Sequence, residues 1–249
     1  MDTRELELRI GQTIIDGYRT DTGRPAVFEL LGRQWDLLDD VWPPAYSPGG
    51  ELHAELIPFP AMTSFLEMGS GTGIMSVLAA LAGCPRVLAL DLNPAAVDNT
   101  MRNARRHGVD DRVEARVSDL YAAVPPGERF DGIYWNPPFL DAPAERLDGS
   151  LWHETMFDPE YAKLRRFLVG GAGLLTPAGR VYLWFGEALG NPALIDELAA
   201  VAGLTVRELH RMTMTEVPSA LARALPPEVT TGDQYEQWHL HLLELGVPA

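Results

Sequence analysis

Between the apolar segment Ser64-Phe65-Leu66-Glu67-Met68 and a second apolar stretch from Ile74 to Ala82 lies Gly69-Ser70-Gly71-Thr72-Gly73. Glycines at alternate positions let the backbone turn sharply and leave no side chain between the main chain and a ligand. The flanks read as strand then helix, which is the setting a nucleotide-holding loop requires. A chain built around such a loop must continue in strand–helix repeats that form a parallel sheet covered on both faces.

The pattern downstream meets that demand. Strands are expected at Arg86 to Asp91, Arg112 to Val117, Phe130 to Trp135, Arg180 to Phe185, Leu204 to Met212 and Trp238 to Leu245. Helices are expected from Asn93-Pro94 to His107, from Pro159 to Leu175 and from Asn191 to Ala202. Asn93 is a natural N-cap, Pro94 suits the first turn, and Gly108 and Gly203 end their helices.

Residues 1–60 read differently and form an expected cap or lid on a catalytic domain of residues 61–249. Leu6, Ile10, Ile14 and Ile15 recur at helical spacing, and Ala26 to Leu31 and Gln34 to Leu38 read as a hairpin. Val41 to Gly50, rich in proline and glycine and carrying Trp42 and Tyr46, reads as a loop.

Two acids follow later strands. Asp91 ends the second strand, 18 residues past Gly73, near the spacing at which a carboxylate meets both hydroxyls of a ribose. Asp119, just after the third strand, can accept from the amine of an adenine. After the fourth strand comes Asn136-Pro137-Pro138-Phe139. Prolines donate no N–H and leave their carbonyls free. Asn136 adds another carbonyl and Phe139 a flat surface, so the turn suits a planar NH₂ group.

These four features in this order resemble the class I S-adenosylmethionine-dependent methyltransferases, over roughly Ala61 to Leu245. Within them the chain is similar to the Asn-Pro-Pro-[Phe/Tyr] subgroup, which includes release-factor glutamine and adenine amino methyltransferases. Asp91-Leu92-Asn93-Pro94-Ala95-Ala96-Val97, with Asn99 and Asn103-Ala104, is especially similar to the glutamine branch. The resemblance implies a Rossmann-like, seven-stranded, mostly parallel sheet with its last strand antiparallel. It implies S-adenosylmethionine as cofactor, with Glu67 and Gly69, Ser70, Gly71, Thr72 and Gly73 at the methionine part, Asp91 at the ribose and Asp119 at the adenine. Leu92, Leu120 and Asn136 complete the expected cofactor set. Asn136 and Pro137 would hold the acceptor nitrogen, with Phe139 beside it.

Composition narrows the partner. The chain has 35 acidic and 20 basic residues, a formal net charge of -15, so a nucleic-acid partner is disfavoured. Arg102, Arg105 and Arg106, and Lys163, Arg165 and Arg166, read as solvated helix faces. Cys84 is the one cysteine, which fits a reducing cytoplasm and a packing role. No apolar stretch is long enough for a membrane span, and oligomeric state stays open.

The release-factor enzymes have a larger helical N-terminal domain, and beyond Phe139 the sequence departs from theirs. The expectation is therefore a methyltransferase acting on a nitrogen of a small molecule or amide. Three alternatives stand beside it. One is a cyclase of the azetidine-2-carboxylate synthase type that releases methylthioadenosine. Another is a protein glutamine or nucleic-acid adenine N-methyltransferase. The third is a non-catalytic cofactor-binding module. His153 and Glu154 are candidate acid–base groups, with solvent-facing loop residues as the plainer reading. His239 and His241 share one side of a strand but lack further ligands for a metal.

Overall fold

The computed structural model of the chain describes residues 3–44, 54–186, 191–213 and 239–248. Tyr46, Met214 and Trp238 lie outside the described residues. Nine strands and six helices are used below. The helix α1 (Thr3–Thr20) is followed by the antiparallel pair β1 (Val27–Leu30) and β2 (Arg33–Asp36). The sheet begins with β3 (Phe65–Met68), then α2 (Ile74–Leu81), β4 (Val87–Asp91), α3 (Pro94–Arg106) and β5 (Val113–Val117). After β6 (Phe130–Trp135) come the short α4 (Leu151–Met156) and α5 (Ala162–Ala172). The chain continues through β7 (Leu175–Gly186), α6 (Pro192–Val201), β8 (Thr205–Thr213) and β9 (His239–Gly246).

The seven strands of the main sheet lie in the order β5-β4-β3-β6-β7-β9-β8. The pairings from β5 to β7 are parallel, and β9 runs antiparallel to both β7 and β8. This is the expected Rossmann-like, mostly parallel seven-stranded sheet, with its last strand reversed. All four residues of β3 are buried, as a strand covered on both faces requires.

One face of the sheet packs against α2 and α3 together with Trp35 of the hairpin. The other packs against α5 and α6 through Leu164, Phe167, Leu168, Leu194 and Leu198. The chain order along the sheet reverses between β3 and β6, so the strand ends there open a crevice.

Three local expectations are corrected. The helix expected from Pro159 starts at Ala162, because Glu160 and Tyr161 adopt left-handed φ values of 56° and 54°. It ends at Ala172, before Gly173, so β7 begins at Leu175 and is longer than the apolar run at Arg180. A helix also forms over Leu151–Met156, capped by the Ser150 hydroxyl, which accepts from the His153 N–H.

Among the described residues, no helix is long and apolar enough to cross a membrane.

Candidate functional site

The ends of β3 and β6 set the site. Met68 pairs with Trp135 in the parallel register, so the next residues, Gly69 and Asn136, leave the sheet side by side. A cavity of about 1300 Å³ opens there. Its wall includes Glu67, Gly69, Ser70, Gly71 and Thr72 from the first turn, and Asp91 and Leu92 from the end of β4. Asp119 and Leu120 line it after β5, and Asn136, Pro137, Pro138 and Phe139 after β6. Of the residues expected to hold the cofactor or the acceptor, Gly73 alone is not part of this wall.

The glycine loop has left-handed φ at all three glycines: 61° at Gly69, 53° at Gly71 and 77° at Gly73. Each is needed for a different reason. At Gly71 a Cβ would meet nothing within 4 Å, so backbone conformation and the open cavity beside it are the constraint. At Gly73 a Cβ would lie 2.7 Å from Cγ2 of Thr100 on α3, so the glycine also permits close packing of helix on loop. Gly69 faces the Trp135 indole, whose Nε1 would be 3.0 Å from its Cβ.

Glu67 is buried at the carboxyl end of β3. Its Oε2 accepts from the Ser76 main-chain N–H at 2.8 Å and from the Ser76 hydroxyl, fastening the first turn of α2 to the strand. Burial pushes its carboxyl up to about 8, against the lowering effect of the Ser76 hydrogen bonds. Tyr134, level with Glu67 across the sheet, is raised well above the ordinary phenol value by burial and by the Glu67 charge.

Asp91 is anchored in two directions. Its Oδ2 accepts from the Gly71 N–H at 2.9 Å and its Oδ1 from the Asn93 N–H at 2.8 Å. Burial raises its pKa above the ordinary carboxylate value. A carboxylate holds about four acceptor sites, so acceptor capacity remains toward the cavity. Asn93 is the N-cap of α3 as expected, its Oδ1 accepting from the Ala95 N–H at 2.9 Å.

Asp119 is exposed and held by a fork: Arg166 of α5 donates to its two oxygens at 3.2 Å and 2.9 Å. Sequence pattern read Arg166 as a solvated helix charge. The structure brings it to the cavity wall with Lys163, whose ammonium lies 2.7 Å from Glu154 Oε2. Asn136 is half-buried, and Phe139 packs edge-on to Phe185 at 6.5 Å.

His153 turns inward. Its Nδ1 lies 3.0 Å from the Asp148 main-chain N and 2.9 Å from Asp148 Oδ1, and its Nε2 lies 3.0 Å from Gln12 Oε1. It ties α4 to α1 and does not line the cavity, whereas Glu154 does. His241 is buried against Glu208 at 2.6 Å, and His239 lines the cavity. Cys84 is buried with its thiol raised by that burial.

The N-terminal segment contributes wall residues that sequence reasoning did not single out. Ile10 and Ile14 of α1 and Phe28, Leu30 and Leu37 of the hairpin region reach the same cavity. Buried amides dock the hairpin on α3. Asn103 Oδ1 accepts from the Asp36 N–H at 2.7 Å, and its Nδ2 donates to the carbonyls of Asp36 and Thr72. Asn99 accepts from the Leu38 N–H and donates to the Asp36 carbonyl. Arg106, also read as a solvated charge, binds the Asp36 carboxylate at 2.7 Å and 2.8 Å and holds it below its ordinary pKa. The residue types Asn99 and Asn103, four apart on one helix face, were the available signal.

The chain matches the family described as "Methyltransferase small domain" over residues 47–198. It is 33% identical over 187 residues to a release factor glutamine methyltransferase of Cereibacter sphaeroides, covering 70% of this chain and 65% of that enzyme, just under two thirds. It is 34% identical over 199 residues to the enzyme of the same name from Bordetella pertussis, covering 73% and 68%. In fold it resembles a T. thermophilus 16S rRNA N2 G1207 methyltransferase solved with AdoMet and guanosine, with a TM-score of 0.58 at 18% identity, covering 90% of this chain and 50% of that one. The expected small-molecule acceptor is overturned by these relatives, whose names specify glutamine in a protein, so the departures beyond Phe139 do not argue against such an acceptor. The match across residues 47–198, together with the similarity to these relatives, means that the chain belongs to the methyltransferase small domain family, within the class I S-adenosylmethionine-dependent methyltransferases.

Proposed function

We propose that this chain transfers the methyl group of S-adenosylmethionine to the side-chain amide nitrogen of a glutamine in a protein. The observation that carries the reading is the adjacency of Gly69 and Asn136, fixed by the pairing of Met68 with Trp135. A ligand seated on the glycine loop is thereby beside the acceptor-rich turn. The names of the two relatives support a protein amide as the other reactant. Residues 1–60 serve as the cap and residues 61–249 as the catalytic part.

The wall residues fit the cofactor. The glycine loop offers main chain without intervening side chains, and Asp91 keeps acceptor capacity for ribose hydroxyls. Asp119 offers a carboxylate held in place by Arg166 for an adenine amine. The cavity, about 1300 Å³, exceeds the roughly 300–1,000 Å³ of single small-ligand sites, which leaves room for a side chain of a second molecule.

When bound, S-adenosylmethionine supplies a methyl group on a sulfonium that is already a good leaving group. The work of the protein is to position and to stabilise charge. An amide nitrogen is a poor nucleophile because its lone pair is shared with its carbonyl. The Asn136 side-chain oxygen and the Pro137 carbonyl would accept its N–H hydrogens, returning electron density to nitrogen and favouring the positive charge that develops there. Phe139 gives the planar amide a flat wall. The walls from α1 and the hairpin keep water away from the reacting atoms.

The test is mass spectrometry of the purified chain with S-adenosylmethionine, first alone and then with release factors and ribosomal proteins. S-adenosylhomocysteine formed only with a protein acceptor, with a methyl on a glutamine amide, is the expected result. Methylthioadenosine formed without acceptor would replace methyl transfer by attack on the aminobutyrate arm.

A further inference from the structure

Asn103 is fully buried near the end of α3, and its amide is engaged on both sides. On one side it binds the N–H and carbonyl of Asp36 in the hairpin, at 2.7 Å and 3.0 Å. On the other its Nδ2 donates to the Thr72 carbonyl in the glycine loop at 2.8 Å. Asn99, one turn earlier and equally buried, binds only the hairpin, through the Leu38 N–H and the Asp36 carbonyl. The hairpin thus meets α3 through main-chain groups, as a strand would meet a neighbouring strand, with two asparagine amides standing in for the partner backbone. Phe28 and Leu30 of that hairpin line the same cavity as Asp91 and the glycine loop.

We infer that Asn103 is a positioning residue that sets the hairpin and the glycine loop as one unit, so that filling the cofactor site and docking the hairpin reinforce each other. The inference rests on the reading above only in that the glycine loop holds the cofactor. A buried amide cannot drop one of its partners without leaving that group unsatisfied. A ligand that orders the loop at Thr72 therefore orders the hairpin at Asp36, and the coupling is reciprocal. Asn99 lacks the loop contact, so it contributes to hairpin docking without the link.

The experiment is amide hydrogen exchange of the full chain with and without S-adenosylhomocysteine, paired with calorimetric affinity for that compound. In the unaltered protein the ligand is expected to slow exchange at the Asp36 and Leu38 amides as well as in the glycine loop. In Asn103→Ala the dissociation constant is expected to rise about tenfold, with the hairpin protection lost. Asn99→Ala is expected to speed hairpin exchange but change affinity by no more than about twofold. Ligand binding without protection of Asp36 and Leu38 would overturn the inference. So would equal losses of affinity in the two variants, because hairpin loss alone would then explain both. If Asn103→Ala does not fold, the exchange pattern of the unaltered protein decides. Absence of any S-adenosylhomocysteine binding would overturn the cofactor reading itself, whereas a failed search for the protein acceptor leaves this coupling untouched.

Discussion

The carboxylate of Asp91 accepts a hydrogen bond from the main-chain N–H of Gly71 at 2.9 Å, so the acid at the end of β4 and the loop at the end of β3 hold each other in place. On the proposed reading the acid has two duties, shaping the loop and presenting oxygen to a ribose. Asp91→Ala is expected to raise the dissociation constant for S-adenosylhomocysteine by about tenfold or more. Isothermal calorimetry measures it, and unchanged affinity would remove Asp91 from the site.

The proposed function predicts that altering Asn136 separates acceptor handling from cofactor handling. Its replacement by alanine takes away a side-chain oxygen from the turn after β6 and leaves the glycine loop and Asp91 intact. The expected result is a loss of about 10²–10³ in kcat with cofactor affinity kept within about threefold. A matched loss of both would assign Asn136 to the cofactor alone.

Gly73→Ala is expected to destabilise the fold by roughly 2 kcal/mol or more, because it combines backbone strain with overpacking. The new methyl would lie 2.7 Å from Thr100 Cγ2 and 2.8 Å from the Thr100 Cα, which is backbone and cannot swing aside. Gly83→Ala is the comparison. Its φ of 105° is also left-handed, but nothing lies within 4 Å, so it should cost less. Urea unfolding of the two variants gives the difference directly.

Glu7 of α1 accepts from the Asp141 N–H just beyond the Asn-Pro-Pro-Phe turn, and burial pushes its carboxyl from 4.5 up to about 7. The folded value lies above the ordinary one, so folding takes up a proton there. The stabilisation is complete below about pH 4.5 and is lost as pH rises through about 7. The unfolding temperature should fall between about pH 5 and pH 8, and Glu7→Gln should flatten that fall. Some slope remains in the variant, because Glu67, pushed up to about 8, acts in the same direction. An identical pH profile for the two proteins would show that Glu7 does not titrate in this range.

The parts of this fold that were legible in the sequence are those whose cause is local. The glycine loop, the Asn93 cap, the hairpin around Gly32 and the apolar central strands each carry their own signal within a few residues. What was not legible depends on partners far along the chain. Arg106 and Arg166 are exposed, as their helix-face spacing suggested, but nothing local marks the pairing of Arg106 with Asp36, 70 residues away, or of Arg166 with Asp119 across 47 residues. His153 looked like a loop residue because α4 is only six residues long and is held by Gln12 from α1, 141 residues away. The small-molecule acceptor was inferred from net charge and from divergence beyond Phe139, and neither quantity reports on which amide a turn will grip.

The asparagine contacts also impose an order of events during synthesis. Asp36 leaves the ribosome before Asn103, which follows it by 67 residues, and Glu7 precedes Asp141 by 134. The N-terminal hairpin therefore emerges with its main-chain groups unclaimed, and α1 with its apolar side bare. Such contacts close large loops and form late. The hairpin is thus made before α3 and is locked only once α3 has been made.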